Sequence, residues 1–314
     1  MKPLVSVIVA NYNRADLIEE TLESIQGQTY SHFECLVIDD QSTDNSDSII
    51  QKWIKRDNRF QYYRRPNTIK KGANACRNWG FKKSNGELMK FFDSDDIMLS
   101  NHLEISVDYL QNQKLDFVVV DCQNFDKDGL RERPYETNKD HVKIKPLEFS
   151  TFQNGWITND LMLTRKYASQ IIFNENIRDL ASEYQYAIKL LLITQNGIVL
   201  PHILTHRRLH NGSLFLKIQN SGVTKKKIEA ETKLHTAAYL SDIAPKSLLR
   251  WFLEGYVRLS GDLATFKIYP PSLFKALFIH IKLFGGVKTI SFILGLTTIY
   301  FTGRGYALIK FARS

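Results

Sequence analysis

Three aspartates packed into four residues are the feature of this sequence with the clearest chemical potential. The buried-strand pattern Leu88–Phe92 runs directly into Asp93, Asp95 and Asp96. Acids this close repel one another, and a fold tolerates them most easily when a cation or the hydroxyls of a ligand lie between them. Hard oxygen ligands suit Mg²⁺ or Mn²⁺. The alternative is a solvated acidic turn in which Asp95 or Asp96 caps the following helix.

These acids need a scaffold, and hydrophobic periodicity predicts one. Apolar runs predict strands at 4–10, 33–38, 60–64, 88–92, 117–121 and 198–205. Apolar residues at helical spacing predict helices at 17–25, 49–54, 72–83, 99–111 and 183–193. Strands that alternate with single helices predict an α/β fold with a mainly parallel sheet flanked by helices. Ligands of such sheets bind outside the carboxyl ends of the strands, where the three aspartates lie.

The chain changes character after its first two thirds. Residues 123–150 are polar and predict an irregular excursion, and residues 156–163 resume the apolar pattern. Further helices are predicted at 225–240, 248–259 and 272–301. We therefore expect two parts, an α/β domain over residues 1–215 and a basic helical region over residues 216–314.

Positive charge is concentrated in that helical region. The net charge is +9, yet residues 207–314 carry 17 Lys and Arg against 5 Asp and Glu, whereas residues 1–206 carry 25 against 28. Such asymmetry indicates an anionic partner, either a membrane surface or a nucleic acid. Residues 283–301 are apolar but interrupted by Lys288 and by glycines, which favours helices lying on an anionic membrane over a membrane span. The alternative is a helical unit that packs on the core or on a second copy.

Cysteine use and the first residues bear on the compartment. Cys35, Cys76 and Cys122 form no C-x-x-C pair, which argues against a disulfide framework or a zinc site. Met1-Lys2-Pro3 leads directly into a strand pattern and leaves no room for a signal peptide. We expect a cytoplasmic protein whose basic helices make peripheral contact with the inner face of the cell membrane. No nucleic-acid-binding motif occurs, so we expect no nucleic-acid partner.

Four segments give the chain a family resemblance. They are, in order, Asn11-Tyr12-Asn13, Asp39-Asp40, the glycine-bounded segment 72–80 and Asp93-Ser94-Asp95-Asp96. In this order and spacing the sequence resembles the family 2 glycosyltransferases with the GT-A fold, over about residues 3–215. The resemblance implies an inverting, metal-dependent enzyme of hexosyltransferase type. It would transfer a sugar from a nucleotide-sugar donor, UDP-linked, to a glycan or lipid-linked acceptor in cell-surface polysaccharide biosynthesis.

A nucleotide sugar offers a base, a ribose, a diphosphate and a sugar, and the resemblance implies protein partners for them. Asp40, together with Asp39, would contact the uracil or the ribose. Tyr12 would stack near the base, and Ala10 and Asn13 would lie beside the donor. The alternative for the paired aspartates is a helix-capping turn.

The acidic segment resembles the D-x-D element of the family. Asp95 or Asp96 would bind Mg²⁺ or Mn²⁺, and Asp93 and Asp95 would contact the donor. The metal would neutralise charge on the leaving diphosphate. Arg77 could face the diphosphate with its guanidinium fork, and the alternative is an arginine on a helix surface.

An inverting transferase needs a base that takes the proton from the acceptor hydroxyl. The family places an acid, the Asp of a Glu-Asp pair, at the start of a helix after the apolar stretch that here contains Trp156. The matching residues are Ser182-Glu183, so Glu183 takes the position of the base and Ser182 departs from the family pattern. The alternative for Glu183 is stabilisation of the helix dipole.

The segment His206–Ser213 resembles the basic element of the family, which ends in H-x-x-S. His210 would complete the metal shell or touch the diphosphate, and Arg207 or Arg208 would balance phosphate charge. The alternative for His210 is a solvated side chain. The Q-x-x-R-W element of processive synthases is absent. Because Ser182-Glu183 departs from the usual pair, a catalytically inactive nucleotide-sugar-binding or glycan-binding module of the same fold stays open.

Overall fold

A computed structural model describes residues 2–135, 144–151, 155–177, 179–210 and 222–314. These residues form two compact units, one ending at Leu209 and one beginning at His210. The predicted boundary after residue 215 lies outside the described residues.

The first unit is built on a mixed sheet. Its strands are β1 Val5–Asn11, β2 Phe33–Asp39, β3 Phe60–Arg64, β4 Leu88–Asp93, β5 Ile97–Met98, β6 Phe117–Asp126, β7 Gly129–Leu130, β8 Leu161–Thr164 and β9 Gly197–Arg208. Within the described ranges they pair in the order β3-β2-β1-β4-β8-β6-β9-β5, with β7 on β6. The strand and helix alternation therefore produces the predicted α/β architecture.

The half of the sheet that carries the acids is parallel. Strand β1 pairs in parallel with both β2 and β4, and β2 pairs in parallel with β3. Ala10 of β1 lies opposite Asp93 of β4 in this register. Because the strands run the same way, their polar loops meet at one edge of the sheet.

The other half of the mainly parallel sheet also contains antiparallel pairs. The short strand β8 runs antiparallel to both β4 and β6, and β9 returns to a parallel pairing with β6. Strand β6 also continues to Asp126, beyond the predicted end at residue 121, because β7 and β9 both pair with its second half. The one-turn 3₁₀ helix Thr158–Asp160 leads into β8 and lies against β4.

Helices cover the sheet. They are α1 Ile18–Gln26, α2 Ser46–Arg56, α3 Ala73–Lys83, α4 His102–Asn112, α5 Pro146–Ser150, α6 Arg165–Ala168 and α7 Asp179–Ile193. Helix α1 buries Ile18, Leu22 and Ile25 on one face, as their 3.6-residue spacing requires. Helix α7 begins four residues before its predicted start.

The second unit is helical. Its helices are α8 Gly222–Tyr239, α9 Lys246–Thr265, α10 Leu273–Phe284, α11 Gly286–Thr302 and α12 Tyr306–Arg313. Helix α9 supplies much of the core, with Phe252 and Tyr256 fully buried. The segment 272–301, predicted as helical, is two helices rather than one, because Gly285 has φ +87°, a left-handed conformation that ends α10. Within the described ranges, no helix combines the length and apolarity that crossing a bilayer requires.

Candidate active site

The acids at the end of β4 form a tight cluster. One carboxylate oxygen from each of Asp93, Asp95 and Asp96 lies within 4.8 Å of the others. Asp93 is the most accessible, with 35% of its side chain exposed, and Asp96 is buried. The loop is therefore not the solvated turn of the alternative interpretation, since helix α4 begins only at His102.

Asn159 forms hydrogen bonds with both ends of the loop 93–96, called here the acid loop. Its Nδ2 donates to Asp96 Oδ2 at 2.6 Å, and its Oδ1 accepts from the backbone N of Asp93 at 3.0 Å. Its own carbonyl accepts from the buried ammonium of Lys90, which also lies 2.5 Å from His102 Nε2. Asn159 is fully buried, so one amide fixes both ends of the loop.

The pKa of Asp96 reflects its burial and the repulsion between these neighbouring carboxylates. Burial, together with the carboxylates of Asp95 and Asp93, raises the pKa of Asp96 well above its ordinary value. A hydrogen bond from the backbone N of Arg208 and the positive charge of Arg207 oppose that rise. A cation at the cluster would relieve the same repulsion, so the oxygen donors present fit Mg²⁺ or Mn²⁺.

Two arginines from other elements of the fold contact Asp95 of this loop. Arg14, which follows β1, places Nε 3.1 Å from Asp95 Oδ2. Arg208, at the end of β9, donates from Nε to the carbonyl of Asp95 at 2.9 Å and pairs with Glu20. Arg208 thus reaches the predicted site, where its observed contacts include the acid loop and Glu20.

Arg77 joins the acid cluster to the candidate base. Its Nη2 lies 2.6 Å from Asp93 Oδ1 and 3.0 Å from Glu183 Oε1. The side chain is 3% exposed, which excludes the alternative of a surface arginine. Glu183 is itself 16% exposed and is the fifth residue of α7, beyond the first turn in which a helix dipole stabilises a carboxylate.

Aromatic packing and one buried hydroxyl set the position of Glu183. The Phe173 ring lies under the Arg77 guanidinium at 5.3 Å and stacks on Tyr186 of α7 at 4.1 Å. Ser182, which stands where the family pattern has an acid, is fully buried and its Oγ accepts from the backbone N of Asn174 at 2.7 Å. Residue 182 is therefore structural here, and Glu183 is the neighbour that faces the acid cluster.

The two aspartates at the end of β2 are buried and form hydrogen bonds or ion pairs. Asp39 accepts from Asn11 Nδ2 at 2.9 Å and from the backbone N of Ser42 at 2.8 Å. Asp40 forms an ion pair with Arg65 and accepts from the backbone N of Gly72 at 2.9 Å. Both residues are less than 5% exposed, and their predicted contacts with a nucleoside stay a prediction.

The loop after β1 presents an aromatic ring beside these aspartates. Tyr12 is 39% exposed, and Lys71 lies 4.2 Å from its ring centre and 3.1 Å from its hydroxyl. Asn13 has φ +50° and accepts from the backbone N of Thr43 at 2.8 Å. Ala10 is half-buried at the carboxyl end of β1. An exposed ring next to a lysine suits an aromatic base followed by phosphate.

The basic element begins within the last residues of β9 and is described only in part. Arg207 acts on the acids through its charge. His210 lies at the start of the second unit, and its predicted metal role stays a prediction. Asn211, Gly212 and Ser213, which complete the predicted H-x-x-S element, lie outside the described residues.

Sequence reasoning missed several residues that the fold brings to this edge of the sheet: Arg14, Arg65, Lys71, Lys90 and Asn159. The polar run Thr158-Asn159-Asp160 inside an otherwise apolar stretch was an available signal for Asn159. Lys90, a charged residue inside the apolar run Leu88–Phe92, was a similar signal. Arg14, Arg65 and Lys71 carry no such signal, because their partners lie on different elements.

This fold has solved counterparts. S. aureus TarS 1-349 in complex with UDP-GlcNAc superposes with a TM-score of 0.67 at 18% identity, covering 97% of this chain and 93% of that one. Mannosyltransferase PcManGT from Pyrobaculum calidifontis, in complex with GDP-Man and Mn²⁺, gives 0.57 at 17% identity, covering 99% and 86%. At such identities the likeness shows the fold alone, a GT-A type α/β fold with a helical extension.

The family follows from the sequence match. Residues 6–170, just over half of the chain, match glycosyl transferase family 2, and the chain belongs to that family. Glycosyltransferase GlyG of Streptococcus pneumoniae is 31% identical over 182 residues, which are 56% of this chain and 60% of that protein. A GalNAc(5)-diNAcBac-PP-undecaprenol beta-1,3-glucosyltransferase of Campylobacter jejuni is 40% identical over 101 residues, 32% of each chain. The chain thus spans less than two thirds of the length of these relatives.

Proposed function

We propose that this protein is an inverting glycosyltransferase that moves a sugar from a UDP-linked nucleotide sugar to a hydroxyl of a glycan or lipid-linked acceptor. The observation that carries the proposal is the chain of contacts from the acid cluster through Arg77 to Glu183. The Asp93 carboxylate, which would face the donor, and the candidate base Glu183 both pair with one guanidinium. That arrangement suits a reaction in which a diphosphate leaves on one side of an anomeric carbon and a hydroxyl attacks on the other.

The nucleoside end of the donor would lie between the loops after β1 and β2. Tyr12 offers a partly exposed ring for the base, with Ala10 and Asn13 beside it. Asp40 would accept a hydrogen bond from the base or ribose, and Asp39 would hold its loop through Asn11. Lys71, next to Tyr12, adds positive charge for a phosphate.

The diphosphate end would lie at the acid cluster with a divalent cation. Asp95 and Asp96 would hold Mg²⁺ or Mn²⁺, with Asp93 beside them, and Arg207, Arg208 and His210 would add charge or a further ligand. When bound, the cation supplies Lewis-acid stabilisation to the leaving diphosphate. PcManGT, named above with Mn²⁺, supports this choice of metal.

Glu183 would act as the general base. It takes the proton from the acceptor hydroxyl as that oxygen attacks the anomeric carbon and the nucleoside diphosphate departs. Arg77 would hold the carboxylate in place, with its guanidinium 3.0 Å from Oε1. Ser182, bound to Asn174, leaves Glu183 without a competing acid beside it.

The setting we propose is cell-surface polysaccharide biosynthesis at the cytoplasmic face of the membrane. The Campylobacter relative is named for an undecaprenol-linked acceptor, and a Bacillus subtilis relative, 34% identical over 129 residues, is named as a teichuronic acid biosynthesis glycosyltransferase. The basic helical unit would make peripheral contact with the membrane that carries such an acceptor.

A thermal-shift screen of nucleotide sugars, with and without Mn²⁺, tests the proposal directly. We expect one UDP-sugar to raise the melting temperature, and to do so more strongly with Mn²⁺ than with a chelator. Release of UDP in the presence of acceptor would then establish transfer. Stabilisation by a nucleotide sugar without any turnover would instead favour an inactive binding module, and the absence of any shift would contradict the proposal.

A further inference from the structure

The second unit exposes apolar side chains along one side of helix α10. Phe274, Phe278 and Ile281 are 89%, 62% and 49% exposed, at helical spacing. Lys275 and Lys282 lie on the same exposed stripe, and Lys282 Nζ lies 4.2 Å from the Phe278 ring centre. Exposure of two phenylalanine rings to water is unfavourable in free energy. A contiguous apolar stripe of this kind is typical of a surface that binds a partner.

Helix α11 repeats the pattern. Its exposed stripe carries five large apolar side chains, Val287, Ile290, Ile293, Leu294 and Phe301, between 43% and 73% exposed. An ordinary surface helix turns its polar residues outward. Here Thr289, Ser291 and Gly295 are among the buried residues, while the outward stripe is apolar, so the helix is adapted to an apolar environment on its open side.

Charge identifies the kind of partner. Residues 263–314 hold seven Lys and Arg and no Asp or Glu. A face built from two copies of this surface would bring like charges together, which is costly. Anionic headgroups would neutralise them, while the phenylalanines enter the acyl boundary beneath. The two helices are about 18 Å and 26 Å long, enough to lie along the interface.

We propose that the exposed stripes of α10 and α11, called here the insertion face, embed in the headgroup layer of an anionic membrane. The inference deepens the proposed function, on which its biological setting rests, by naming which surface meets the lipid and how. Phe274 and Phe278 are the anchors, and Lys275 and Lys282 supply electrostatic attraction.

Sedimentation of the full chain with vesicles of phosphatidylethanolamine and phosphatidylglycerol in equal parts tests the insertion face. We expect binding that weakens as salt rises and is absent with phosphatidylcholine vesicles. The double variant F274S/F278S should bind at least about tenfold more weakly, because two exposed aromatic anchors are lost. Lys275→Gln combined with Lys282→Gln should reduce binding and its salt dependence. Ile243→Ser, at a 56% exposed position of the same unit, is the matched control and should bind like the wild type.

Three results would overturn the inference. They are equal sedimentation with anionic and zwitterionic vesicles, undiminished binding by F274S/F278S, or a wild-type dimer that this variant dissociates while neither binds vesicles. The change in melting temperature on adding a UDP-sugar measures binding at the donor site and does not depend on lipid. A failure of membrane binding is therefore distinguishable from a failure of the proposed transferase function.

Discussion

Arg77 Nη2 lies 3.0 Å from Glu183 Oε1, and the same nitrogen lies 2.6 Å from Asp93 Oδ1. One buried guanidinium therefore connects a residue of the acid cluster with the candidate base. The arrangement explains how a glutamate, one methylene longer than the usual aspartate, is held in position.

Replacing Glu183 with Gln removes the proton acceptor but keeps a hydrogen-bonding group of the same size. We expect turnover to fall about 10³-fold, because general base catalysis is lost, while the affinity for the UDP-sugar stays unchanged. Steady-state kinetics and calorimetry measure the two quantities. Glu23→Gln, at an exposed position of α1, is the control. Wild-type turnover in Glu183→Gln would remove Glu183 from the role of base.

A double-mutant cycle with Arg77→Met and Glu183→Gln measures their coupling. We expect the two changes in unfolding free energy to be non-additive by about 1 kcal/mol, because the residues share an ion pair. Arg77→Met should also weaken donor binding, since Asp93 loses its partner. Arg131→Met breaks an exposed pair with Asp126 and should leave the unfolding free energy close to that of the wild type. Additivity of the first pair would contradict the observed contact.

Metal removal should abolish turnover. We expect a chelator to inactivate the enzyme, and Mn²⁺ or Mg²⁺ to restore it, because oxygen ligands at the acid cluster suit these ions. Asp95→Asn should raise the Mn²⁺ concentration needed for half-maximal activity by about tenfold or more. Asp108→Asn, on the exposed side of α4, should leave it unchanged. Full activity in chelator would show that the cluster does not serve a catalytic cation.

Asn159→Ala tests whether the Asn159 amide holds the acid loop in position. The variant leaves Asp96 Oδ2 and the Asp93 backbone N without their amide partner, and we expect a loss of about 1–3 kcal/mol in unfolding free energy. Because the loop is also less well held, Mn²⁺-dependent binding of the donor should weaken more than Mn²⁺-independent binding. Asn112→Ala, at an exposed position, is the control. Equal weakening with and without Mn²⁺ would indicate a purely structural role.

The helical unit should lose stability in acid through His280. Burial, with a smaller contribution from Lys288, lowers the pKa of this histidine from 6.5 to about 4, and a hydrogen bond to the carbonyl of Ala312 opposes the shift. The fold thus favours the neutral ring, so its contribution is complete above pH 6.5 and is lost as the pH falls toward 4. We expect the melting temperature of His280→Gln to fall less than that of the wild type over this range. His32→Gln, exposed in the first unit, should behave like the wild type, and parallel curves for all three would contradict the assignment.

Local pattern predicted much of the scaffold. The strands β1, β2 and β4 and the helices between them are found close to their predicted positions, because continuous apolar runs and helical spacing depend on neighbours in the chain. The position of Asp93, Asp95 and Asp96 at a strand end followed from the same reasoning. The break at Gly285 was less visible, since a glycine pair interrupts a helix only when its backbone adopts positive φ.

Local sequence patterns thus predict the α/β architecture, and they carry the family resemblance and the acids that gather at one edge of the sheet. How those acids are held depends on contacts that form only in the folded chain. Strand β8 enters antiparallel beside β4 and brings Asn159 behind the loop, while α7 brings Glu183 to Arg77. Tertiary structure also decides that the apolar residues of the insertion face are exposed, because the same helical pattern is compatible with a buried position. These pairings join residues far apart in the chain, and the free energy that selects them comes from burying whole elements rather than from any local pattern.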